Sequence, residues 1–187
     1  MSRSVEIVDR ITDDQWELPT PCARWTLRQL VQHMTSENRG FAAAAGGETA
    51  DRTQWSFYPV DGDLRVDYAR SAAEVVAAFG ADGVLDRTFW LPLLSRTRQF
   101  PARQAISFHL LDYVVHGWDV AVAAGQPAVI EDDLVRVAQE ITDREVPDTP
   151  RRLDPRSAFR PPLPVADGAS PQDRLLAALG RSPRWPS

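Results

Sequence analysis

Apolar residues recur along the chain at helical spacing and are interrupted at regular intervals by proline and glycine. Val5, Val8 and Ile11 are three apart, which predicts a short amphipathic helix over 2–13. The run Leu18-Pro19-Thr20-Pro21-Cys22 cannot continue it, because each proline lacks an N–H and biases its predecessor away from helical angles. Thr26 and Gln29 have capping-box spacing and predict the start of a second helix. Leu27, Leu30, Val31, Met34 and Phe41 carry that helix to about Ala45, and Gly46-Gly47 end it. Residues 47–62 read as loop, with turn residues around Pro59 and Asp61-Gly62.

A third helix is predicted over 64–79, with Leu64, Tyr68, Ala72, Val75 and Phe79 on one side. Residues 87–100 are aromatic and β-branched enough for a short strand or hairpin, although Pro92 counts against one. A fourth helix starts near Pro101, a favourable first helical position, and stops at Gly125. Residues 131–145 form a fifth. The proline-rich stretch 147–170 reads as an extended segment lying on the bundle, because Phe159, Leu163 and Val165 need cover. A short helix over 171–180 follows, ended by Gly180. The expectation is a mainly α protein: a helical bundle with additional short helices and a short hairpin, with 1–187 as one domain.

Composition narrows the functions. Charged residues are 25% of the chain and the net charge is -5, which argues against a nucleic-acid surface. No apolar run reaches the roughly 18 residues of a membrane span, and the first residues lack a signal-peptide core, so a cytoplasmic protein with no membrane partner is expected. The one cysteine, Cys22, excludes an internal disulfide and any CxxC site. It reads as a packed small residue. All 21 basic residues are arginine, which removes Schiff-base chemistry and suggests a high-GC bacterial genome. No P-loop, GxSxG or dinucleotide fingerprint occurs.

The chemistry-bearing residues are the histidines. Asp112 and His116 are four apart on the fourth helix, roughly 40° around its axis and about 6 Å along it, so both can reach one ion. His33 lies on the second helix, and bundles assemble metal sites from facing helices. Two imidazoles and a carboxylate suit zinc first, with nickel, iron or manganese as alternatives and water in the open positions. Taken alone, a D-x-x-x-H pair is a weak signal, and a surface or half-buried ion pair is the commoner reading of it.

His109 shares the face of Asp112 and His116, but roughly 10 Å of helix separates it from His116. It either bonds Asp112 from behind, lines the pocket above the ion, or is simply satisfied near the helix start. Asp119 either sets the tautomer of His116 or, the favoured reading, pairs with Arg28 or caps the second helix. Glu37 is a base or extra ligand beside His33, or else a surface charge beside Arg39. Trp118 reads as core. Arg96, Arg98 and Arg103 could grip substrate carboxylates or be solvated.

Residues Trp16-Glu17-Leu18-Pro19-Thr20-Pro21-Cys22-Ala23-Arg24-Trp25-Thr26-Leu27-Arg28-Gln29-Leu30, followed by His33 and Glu37-Asn38-Arg39, resemble the N-terminal signature of DinB-like metal-binding proteins. The resemblance is to the actinobacterial branch related to the metal-binding domain of mycothiol-dependent maleylpyruvate isomerase. Asp112-Tyr113-Val114-Val115-His116-Gly117-Trp118-Asp119 matches the second motif of that branch, and the tail Phe159-Arg160-Pro161-Pro162-Leu163-Pro164-Val165, with residues 170–180, matches too. The resemblance implies a DinB-like four-helix bundle with one divalent metal ion on His33, Asp112 and His116. It also implies a low-molecular-weight thiol, mycothiol, as cosubstrate in a transferase or isomerase.

Two departures qualify this. The isomerases carry a second, C-terminal domain for which this chain leaves no room, so activity on maleylpyruvate itself is not expected. The first helix is also shorter than the family pattern implies: either the chain starts late, or a partner subunit in a homodimer covers it. Two other functions stay open: a thiol-independent metal-dependent hydrolase, lyase or cyclase, and a non-catalytic metal-binding protein.

Overall fold

Local capping explains where three of the helices begin. In the computed structural model, which describes residues 1–47, 55, 62–154 and 157–186, the helices are α1 (Ser2–Asp9), α2 (Leu27–Ala45), α3 (Leu64–Phe79), α4 (Ala102–Ala123), α5 (Asp132–Glu145) and α6 (Pro171–Ala178). Thr26 and Gln29 bond reciprocally across the first turn of α2, Asp63 accepts the N–H of Arg65 at α3, and Ser170 accepts that of Asp173 at α6. The segment expected to form the short hairpin does so: β1 (Thr88–Phe89) pairs antiparallel with β2 (Phe100–Pro101), and Pro92 lies between the strands, where its missing N–H costs no ladder bond. The protein is a mainly α bundle with short extra helices and this hairpin.

The bundle is built around α4. Its buried residues occur on every side of the helix, from Ala102 and His109 to Trp118, Asp119 and Val120, as expected for a helix enclosed by neighbours. α2 packs chiefly on α3 and also on α4, α1 on α3 and α4, and α5 bridges α4 to α6. Ile7, Val8, Leu30, Val31, Tyr68 and Val120 form the core under α1. Phe41, Val75, Phe89 and Phe100 form a second cluster beside the hairpin. Leu111, Val115, Ile141, Leu175 and Leu179 join α4 to α5 and α6. Among the described residues, no helix is long and apolar enough to cross a membrane.

Three expectations need correction or restriction. α1 ends at Asp9 and not at residue 13, because Thr12 and Gln15 form a capping box of their own and start a separate 3-10 turn. In 147–170, residues Pro150–Leu153 form a 3-10 turn and are not extended. Phe159 does pack against the α4–α5–α6 cluster, and Leu163 donates its N–H to Ala177 O at 2.9 Å, yet Leu163 and Val165 each stay 41% exposed. Most of the expected loop 47–62, with Pro59 and Asp61, lies outside the described residues, as does Pro155.

One glycine has a clear structural cause. Gly180 ends α6 with φ 74°, and a Cβ there would stand 2.6 Å from Cβ of Arg160. Only glycine lets the tail turn sharply against the proline-rich segment.

Candidate metal centre

Capping at Thr26 sets the phase of α2. With Leu27, Leu30 and Val31 fully buried, His33 is left at the edge facing α4. Asp112 and His116, one turn apart on α4, meet it there. Asp112 Oδ1 lies 3.3 Å from His116 Nε2 and 3.8 Å from His33 Nε2. One donor atom from each of the three residues lies within 4.8 Å of the others. Donors sharing a zinc-sized ion sit about 3.0–3.5 Å apart, given metal–ligand bonds near 2.1 Å. The two Asp112 distances come within a few tenths of an ångström of that range, and the 4.8 Å bound leaves the two imidazoles at most about 1.3 Å to close on one cation. The His33 and His116 rings stand edge to face with centroids 5.2 Å apart.

The site is open on one side. The side chains of His33 and Asp112 are 19% and 24% exposed and that of His116 only 5%. Solvent reaches the site at His33 and Asp112 more than at His116.

The electrostatics match a cation site. Burial would raise the Asp112 carboxyl, but the charge of His116 and hydrogen bonds from both imidazoles hold it well below the usual carboxylate range. Burial would likewise lower His116, yet Asp112 and then Asp119 outweigh it and push the imidazole up to about 10. Burial pushes His33 down, against the pull of Asp112. At neutral pH His116 is thus a proton site between two carboxylates, and a cation taken up there displaces its proton.

For three residues named from sequence, the surroundings choose among the alternatives. Asp119 does not pair with Arg28, which lies on Glu17 at 3.3 Å. It is fully buried, bonded to His116 Nδ1 at 3.0 Å and to Arg181. His109 does not bond Asp112. Its Nε2 meets Asn38 Oδ1 at 2.9 Å, the rings of Phe41 and Phe79 stand edge-on to it, and Asn38 in turn donates to Ser71 Oγ. Glu37 is not a surface charge beside Arg39, which pairs with Asp67. Its side chain is 13% exposed, and Oε1 is 3.9 Å from His33 Nδ1. Burial and then the charge of Asp112 raise its carboxyl well above the ordinary value.

Trp118 and Cys22 are buried. Arg96, Arg98 and Arg103 are exposed near the start of α4, about 13 Å of helix from Asp112, with Arg98 over the Phe100 ring.

Two contributors were not singled out from sequence. Trp25 lies on the His33 ring, centroids 4.4 Å apart at 31°, and 5.9 Å from the His116 ring. Its position just before the Thr26 cap was the available signal. Arg181, from the tail, had no spacing signal. A cleft bordered by Arg3, Ile7, Tyr113, Trp118 and Val129 lies on another side of α4 and contains none of the triad.

The family described as mycothiol maleylpyruvate isomerase N-terminal domain matches residues 1–121, a span that contains all three triad residues. Two uncharacterised proteins of Mycobacterium tuberculosis, from strains CDC 1551 / Oshkosh and ATCC 25618 / H37Rv, are each 28% identical over 183 residues. The match covers 95% of this chain and 91% of each relative. No solved structure matches the chain.

Proposed function

The chain belongs to the mycothiol maleylpyruvate isomerase N-terminal domain family, and on that premise we propose that it is a divalent-metal-dependent enzyme acting on a low-molecular-weight thiol. His33, Asp112 and His116 hold the ion, zinc by preference. The thiol is mycothiol, used for transfer to, or isomerisation of, a small electrophile. The observation that carries the reading is the convergence of two imidazoles and one carboxylate from α2 and α4. When bound, such an ion lowers the pKa of a thiol and makes a nucleophilic thiolate available near neutral pH.

The chain's own groups suit that task. Asp112 brings one negative charge, so the centre with a dication keeps a net positive charge that favours an anionic sulfur. Asp119 accepts a hydrogen bond from His116 Nδ1, which leaves Nε2 directed at Asp112 as the ligating atom. Glu37 stands behind His33 on the Nδ1 side in the same sense, a small movement away from accepting its N–H. Three protein donors leave coordination positions open, as catalytic centres require and closed structural sites do not. The entry side is the one where His33 and Asp112 are exposed.

Elemental analysis of the purified protein is expected to find about one divalent ion per chain, in line with a single three-ligand centre. Protein that takes up no zinc, nickel, iron, manganese or cobalt would end the metal reading. For the thiol, mycothiol added to cobalt-substituted protein is expected to change the visible spectrum. An unchanged spectrum at millimolar thiol would leave the metal and remove the thiol.

A further inference from the structure

Asp119 and Arg181 are the most deeply buried oppositely charged pair among the described residues, with side chains 0% and 2% exposed. Arg181 grips the carboxylate as a fork: Nε donates to Oδ1 at 3.0 Å and Oδ2 at 3.2 Å, and Nη2 donates to Oδ2 at 3.0 Å. The same Oδ2 lies 3.0 Å from His116 Nδ1. Arg181 is itself held. It follows the left-handed Gly180, its N–H bonds Leu176 O at 2.8 Å, and Leu175 and Leu179 of the same turn sit in the core with Leu111 and Val115 of α4. It also lies sixty residues beyond the segment matched by the family, which ends at residue 121.

We propose that Arg181 is a positioning residue of the metal centre: by fixing Asp119 it holds the His116 ring with Nδ1 as donor and Nε2 turned to Asp112, so that docking of the C-terminal helix becomes part of metal binding. The proposal rests on the metal reading above. Its physical basis is the shared oxygen. A buried carboxylate held by one flexible bond would let the imidazole rotate and present either nitrogen. Held by a two-pronged guanidinium, the carboxylate has one position, and so does the ring. If the pair served only to tie α6 to α4, its oxygen would not need to lie on the ligating imidazole.

The test uses the full chain as wild type, Arg181→Lys and Arg181→Met. Two quantities are read: zinc affinity by competition with a chromophoric chelator, and the slowly exchanging His116 Nδ1–H proton by NMR. Arg181→Met is expected to bind zinc 10-fold or more weakly, within the usual range for loss of an outer partner of a ligand. It should also lose the Nδ1–H resonance. Arg181→Lys, which keeps the charge but not the fork, is expected to recover part of both.

Folded Arg181→Met with wild-type zinc affinity and an intact Nδ1–H signal overturns the proposal. If that variant does not fold, the double variant Asp119→Leu/Arg181→Met removes both charges together and leaves none unpaired in the interior. It is expected to fold and still bind zinc at least 10-fold more weakly. Wild-type affinity in that variant overturns the proposal equally. Wild-type protein that takes up none of zinc, nickel, iron, manganese or cobalt sinks the metal reading instead, and the Nδ1–H signal then decides by itself whether Arg181 fixes the ring.

Discussion

His109 and His116 sit two turns apart on α4, both buried and both turned towards α2, and they have opposite chemistry. His116 lies between the carboxylates of Asp112 and Asp119 and is pushed up to about 10, even though burial works against its charge. His109 lies among Phe41, Phe79 and the neutral amide of Asn38, and burial pushes it down to about 4. At neutral pH one is a cation between two carboxylates and the other a neutral ring in an apolar cage. Helix and exposure do not distinguish them. The difference is the charge of whatever stands behind each ring: two carboxylates behind His116, a neutral amide and two aromatic rings behind His109.

The largest test of that contrast is metal content. His116→Ala is expected to lose the ion outright, whereas His109→Ala keeps it. Elemental analysis of the two variants side by side checks this, and equal losses would erase the distinction.

Next comes pH, where the two rings act in opposite directions in zinc-free protein. The folded value of His116 is raised above the unfolded 6.5, so its stabilisation is complete below 6.5 and is lost as pH climbs through about 10. The folded value of His109 is lowered, so its contribution is present above 6.5 and is lost as pH falls from there towards 4. Urea midpoints measured from pH 4 to 10 are expected to flatten on the alkaline side in His116→Gln and on the acid side in His109→Gln. A common change on one side only would contradict both assignments.

Smaller again is the loss of the neutral cage. Asn38→Leu leaves His109 and Ser71 without their shared amide and is expected to cost about 1–3 kcal/mol in urea unfolding, with metal content unchanged. The least effect should come from Glu37→Gln, which keeps the shape beside His33 and removes the ionisable group 3.9 Å away. Zinc affinity is expected to fall only a few-fold, well short of the effect at His116. A loss as large as that of His116→Ala would promote Glu37 to a ligand.

Much of the frame could be read in advance because its causes are local. Thr26 and Gln29 place the start of α2 and with it the phase of His33, and the apolar series from Leu64 to Phe79 bounds α3. The four-residue step from Asp112 to His116 is a property of any helix. What escaped was non-local. Asp119 was assigned to Arg28, nearby on the adjoining helix, while its real partner comes from the tail, where no spacing rule connects them. The same gap hid the amide that meets His109, since Asn38 was noted only as one residue of a motif. Leu163 and Val165 were expected to need cover, but the backbone bond from Leu163 to Ala177 holds the segment in place without burying them.

Because α4 is packed against α1, α2, α5 and the hairpin, its buried backbone amides exchange with solvent when those neighbours come away. Asp112 and His116 are therefore mounted one turn apart on the helix that most of the bundle packs against, and His33 reaches them from α2. A movement of α2 against α4 would change the distance from His33 to that pair and leave the spacing of Asp112 and His116, set by one turn of a single helix, as it is.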